Sequence, residues 1–174
     1  MDIHAALHEV RQLRDIVRVT NPPPEEGAKS ADEQVIYFSL VRNTRGYVER
    51  VVHQINGSYS GGWYDACAVM IRRLIETLIV EVFEKYSIAT KIQGKNGDFL
   101  YLRDLIALML SESSWNLSRN TKSALPRLKD VGDLSAHSRR FNAQRQDIDK
   151  LIPDLRVVVQ ELVTLAKLKS VASA

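Results

Sequence analysis

The stretch from Ala66 to Tyr86 decides most of what this 174-residue chain can become. Ala66, Cys67, Met70, Ile71, Leu74, Ile75, Leu78, Ile79, Val82, Phe83 and Tyr86 recur at helical spacing and cover more than one face of the helix they imply. A helix apolar on so many sides belongs in the middle of a bundle. No segment alternates with the two-residue period of a strand, and no internal repeat stands out. The chain therefore reads as an all-α helical bundle of about six helices.

The flanking segments supply the other helices. Ile3, Leu7, Val10, Leu13 and Val17 predict an N-terminal amphipathic helix over residues 2–19. Pro22-Pro23-Pro24 then removes three amide donors and favours extended backbone, so residues 20–29 read as a linker and 1–29 as an arm, with the bundle over 30–174. Ser30 and Glu33 form a capping box, which predicts one long helix from about Ala31 to Ile55, with Asn56-Gly57-Ser58 and Gly61-Gly62 as punctuation. Beyond the central helix, Lys95-Asn96-Gly97 marks a turn and Asp98 is an expected N-cap for a shorter helix through Met109. Ser118 is the expected cap of a helix carrying Leu125, Leu128, Val131 and Leu134, with Pro126 near its first turns. A final helix runs from Asp147, kinked or restarted at Pro153.

Composition narrows the function classes. Cys67 is the only cysteine, so an intrachain disulfide and a cysteine-based zinc cluster are excluded, and a reducing cytoplasm is the expected compartment. No stretch approaches the apolar length of a membrane span, and no membrane role is expected. The formal charge of +3 suits an anionic partner without requiring one. Phosphate-cradling glycine loops, His-Glu-x-x-His pairs, EF-hand loops and nucleophile elbows are all absent from the sequence. No metal site or cofactor is expected: His4 and His8 share a helix face but lack further ligands at suitable spacing and read as surface histidines. His53 reads as a helix-flank residue. The aromatics Trp63, Tyr64, Phe99, Tyr101 and Trp115 are not interleaved with basic residues and read as packing groups.

Two constellations carry chemistry. In Lys129-Asp130-Val131-Gly132-Asp133-Leu134-Ser135-Ala136-His137-Ser138-Arg139-Arg140, a glycine lets helices approach closely, and His137 lies near a helix end beside two guanidiniums. An imidazole can move a proton at a phosphate oxygen, and Arg139 and Arg140 can clamp phosphate through paired donors. As an alternative, His137 closes the helix and the two arginines form a solvated basic turn. On the central helix Arg72, Arg73 and Glu76 interrupt the apolar run. Arg72 and Glu76, four residues apart, can pair, and one of the arginines is expected to have a fixed partner because an unpaired charge at a bundle edge is costly. The same pair could orient the segment that carries His137.

These two pieces, Tyr64-Asp65-Ala66-Cys67-Ala68-Val69-Met70-Ile71-Arg72-Arg73-Leu74-Ile75-Glu76 and Gly132-Asp133-Leu134-Ser135-Ala136-His137, stand about sixty residues apart. Together they resemble the HEPN superfamily over residues 63–165, in particular a bacterial branch with a Gly-Asn-x-x-Ala-His signature found beside restriction and defence genes. The resemblance implies a helical bundle, a homodimer with the His-bearing helices facing each other, and, in active members, metal-independent RNA cleavage by an arginine and a histidine. His137 matches the family histidine. No arginine stands at the family separation: seven residues lie between Lys129 and His137, and nine between Arg127 and His137. Lys129 is the nearest stand-in, and it lacks the planar fork of a guanidinium. The expectation is therefore a non-catalytic HEPN-like dimeric module of a defence or toxin-type system that binds RNA or a partner protein. A metal-independent endoribonuclease using His137 is the first alternative. An adaptor that docks a partner protein through its N-terminal helix is the second.

Overall fold

The computed structural model describes residues 3, 8–10, 12 and 34–169. Most of the expected N-terminal helix, the whole proline linker and the Ser30-Glu33 capping box thus lie outside the described residues. Among the described residues there are six α-helices and two short 3-10 segments, Phe38–Leu40 and Ala89–Ile92. The helices are α1 (Gly46–Ser60), α2 (Tyr64–Lys85), α3 (Leu102–Ser111), α4 (Arg119–His137), α5 (Arg145–Asp149) and α6 (Ile152–Leu165). Extended pairing among them is limited to one isolated bridge between Gln93 and Phe99. The all-α expectation holds, and no described helix is long and apolar enough to cross a membrane.

The core sits where the apolar run predicts. Helix α2 packs against α1, α3, α4, α5 and α6, and its Cys67, Ile71, Leu74, Ile75, Leu78, Ile79, Val82 and Phe83 are buried. Burial pushes the Cys67 thiol up to about 12, so it packs as a small neutral apolar group. At the far end of α2 the Trp115 ring meets the rings of Phe83 and Tyr86 edge-on, each at 5.0 Å between centroids. The Trp115 indole N–H donates to the Met109 carbonyl at 3.0 Å, which ties the loop before α4 to the end of α3.

Of the long helix expected from Ala31 to Ile55 only the part from Gly46 forms, as α1; residues 34–45 are not α-helical, and 31–33 lie outside the described residues. The segment 34–45 runs instead as bends, turns and the 3-10 stretch Phe38–Leu40, which still sets Val35 and Ile36 fully into the core. The Asn56 side chain holds it, accepting from the Ile36 amide at 3.0 Å and donating to the Ile36 carbonyl at 2.9 Å. Asn43, with φ 63°, reverses the chain before α1. Asn56-Gly57-Ser58 lies inside α1 and is not punctuation; the helix stops at Gly61-Gly62, where Gly62 has φ 73°.

Other boundaries are closer. Gly97 makes the expected turn at φ 83°, but α3 starts after Tyr101, and Asp98 serves through its carbonyl, which accepts from the Gly94 amide at 2.8 Å. Ser118 caps α4 as expected, its hydroxyl accepting from the Thr121 amide at 3.2 Å. Pro126 lies past the first turn of α4 on its exposed side, where water can satisfy the carbonyl it leaves without a donor. The last segment restarts as expected: α5 ends at Asp149 and Pro153 stands in the first turn of α6.

Candidate functional site

The site begins with the crossing of α2 and α4. Gly132 is buried at that crossing, and a Cβ there would come within 2.6 Å of the Arg72 Cβ and 3.0 Å of the Ala68 carbonyl oxygen. Only glycine lets the two backbones approach this closely. The close approach has a chemical consequence, because the next residue on α4 is Asp133, which is thereby set beside Arg72.

Arg72 Nε donates to Asp133 Oδ1 at 2.7 Å, and Arg72 Nη1 lies 3.6 Å from Glu76 Oε2 on its own helix. Lys129, one turn before Asp133, donates to Asp133 Oδ2 at 2.8 Å and to Asp130 Oδ1 at 2.9 Å. Asp133 thus holds one cation on each carboxylate oxygen. Burial works to raise the Asp133 pKa, but the hydrogen bonds from Lys129 and Arg72 outweigh it and hold the group below the usual carboxylate range. The same bond from Asp133, with that from Asp130, raises the Lys129 ammonium above its ordinary value.

His137 is the last residue of α4, one turn beyond Asp133, and it is exposed. Arg72, Tyr101, Arg103, Lys129, Asp133 and His137 line a cleft of about 330 Å³ between α2, α4 and the start of α3. A second recess of about 560 Å³ shares Lys129, Asp133 and His137 and adds Asp130, Leu134 and Ser138. The Arg103 side chain is 80% exposed, and its ion pair among the described residues is with its neighbour Asp104, Nε to Oδ1 at 3.1 Å, so its guanidinium can turn into the cleft. The arrangement offers an imidazole, one loosely held guanidinium and two cations shared with a carboxylate. Such a surface can receive a phosphodiester or another anion.

The residues singled out in the sequence fare differently. Arg72 and Glu76 pair as expected, and Arg72 also reaches the helix that carries His137. Arg73 is exposed on the side of α2 away from the Asp133 pair, and Arg139 and Arg140 are exposed beyond the end of α4. None of these three lines either recess. Spacing could not find Arg103 and Tyr101, because they arrive from α3 about thirty residues upstream. The packing role expected of the aromatics holds for Tyr64 and Trp115 only: Trp63, Phe99 and Tyr101 are 65%, 44% and 83% exposed. His53 is exposed on α1 and stacks on Phe38 at 4.6 Å between centroids. Among the described residues no group of three or more His, Cys, Asp or Glu could hold a metal ion. Comparison with protein-family models, with curated proteins and with solved structures gives no match to this chain.

Proposed function

We propose that the chain is a HEPN-like dimeric module of a bacterial defence or toxin-type system, and that it binds single-stranded RNA at the α2–α4 cleft without cleaving it. The observation that carries this reading is the double tie on Asp133. Arg72 and Lys129, which line the cleft with His137 and Arg103, both spend their strongest contacts on one carboxylate. Cleavage of a phosphodiester needs a cation directed at the charge that develops on phosphate, and a cation neutralised in advance supplies little of that stabilisation. Binding asks for less, because contacts to a phosphate backbone add up from partly neutralised groups.

Purified protein incubated with mixed single-stranded RNA in EDTA, beside the His137→Ala variant, tests this directly. The expected result is a shifted RNA–protein complex for both proteins and intact RNA throughout. Cleavage by the parent and not by the variant would overturn the non-catalytic reading.

The second reading, a metal-independent endoribonuclease, is favoured by one observation: His137 is exposed in a cleft that also holds the loosely tied Arg103. In that reading His137 transfers the proton and Arg103 meets the phosphate charge. The same incubation separates the two.

A further inference from the structure

Helix α2 presents a second surface that begins at Glu76, the residue paired with Arg72, and runs towards the end of the helix. Glu76, Val80 and Glu84 follow one another at four-residue steps, with Thr77 and Glu81 on the adjoining row, so all five project along one face. Together with Tyr47 from the first turn of α1, Arg73, and Phe99 from the turn before α3, they line a pocket of about 310 Å³. That is the size of a small-ligand site.

Three features of this pocket belong together. Its two aromatic walls, Tyr47 and Phe99, are 43% and 44% exposed, unlike the rings that pack the core. The pocket is lined by three carboxylates and one guanidinium, Arg73, and of the carboxylates Glu76 is already paired with Arg72. Glu81, finally, has one loose ion-pair partner, Arg45. Its side chain is only 9% exposed, it accepts no hydrogen bond among the described residues, and its cation contact is Arg45 Nε at 3.9 Å, beyond hydrogen-bonding range. Arg45 itself is 64% exposed and mostly hydrated. A carboxylate whose side chain is this covered gains from a closer cation than Arg45 supplies. Its pKa is raised, first by that burial and then by Glu84, with Arg45 offsetting part of the rise.

We infer that this pocket binds a guanidinium or alkylammonium group, with Glu81 as its carboxylate partner, Glu84 adding charge at the mouth, and the Tyr47 and Phe99 rings flanking the cation. Aromatic faces attract a cation through their quadrupole, and a carboxylate gives it direction, so the combination discriminates against both neutral and anionic ligands. The cation can come from a free diamine or from an arginine side chain of a protein. The inference is independent of RNA binding at the α2–α4 cleft.

Calorimetric titration of the full chain with agmatine and, separately, with a blocked Gly-Arg-Gly peptide tests it. Saturable binding of one probe or both is expected at millimolar concentration. Preference for agmatine identifies a free amine as the ligand, and preference for the peptide identifies a protein side chain. Glu81→Gln keeps the shape and removes the charge, so the fold should persist by circular dichroism while affinity falls by about tenfold or more. Phe99→Ala, a surface change, should weaken binding as well. Absence of saturable binding by both probes would overturn the inference, as would binding that Glu81→Gln and Phe99→Ala leave unchanged.

Discussion

At the scale of the residue, Gly132 is the most constrained position in the site. Adding one methyl group places a carbon 2.6 Å from the Arg72 Cβ, and neither backbone can yield without opening the α2–α4 crossing. Gly132→Ala is therefore expected to destabilise the protein by about 1–3 kcal/mol despite the better helix propensity of alanine. Thermal unfolding checks it; a raised midpoint would show that the crossing is looser than described. The Arg72–Asp133 pair should loosen in the same variant, since its short distance depends on that approach.

At the scale of the element, α4 is held at its start by α6. The Glu161 carboxylate accepts from the Ser118 amide and hydroxyl, each at 2.7 Å, and from the Thr121 hydroxyl, so one side chain of α6 satisfies donors at the N-terminus of α4. Burial raises the Glu161 pKa, but the bonds from Thr121 and Ser118 prevail and leave it lowered. Because the folded state prefers the ionised form, this stabilisation is complete above the unfolded carboxylate pKa and fades as pH falls through the lower, folded value. Glu161→Gln is expected to lose about 1–2 kcal/mol near neutrality and to differ little from the parent in strong acid. Urea unfolding at several pH values reads this; an equal loss at every pH would contradict it.

Helix α2 was readable in the sequence because its apolar residues repeat over many turns, and α4 and α6 because Ser118 and Pro153 mark local chemistry at their starts. The broken segment before α1 was not readable, because its cause is tertiary: Asn56, about twenty residues downstream, holds the backbone of Ile36. The site was half legible. His137 and the Arg72–Glu76 pair follow from spacing along single helices, whereas the partnership of Arg72 with Asp133 and the arrival of Arg103 require the bundle.

At the scale of the whole molecule, the α2–α4 crossing and the exposed end of α4 combine into one electrostatic balance. Asp133 competes with any phosphate for Arg72 and Lys129, and its own lowered pKa keeps it ionised at neutrality. RNA affinity should therefore rise in acid as Asp133 takes up its proton, and fall with added salt at every pH. Removing the competing charge isolates this balance. In a side-by-side titration of labelled single-stranded RNA, Asp133→Asn is predicted to bind about three- to tenfold more tightly than the parent, the equivalent of roughly 1 kcal/mol of released competition. Equal or weaker binding by Asp133→Asn, with its fold intact, would contradict the claim that this cleft receives RNA.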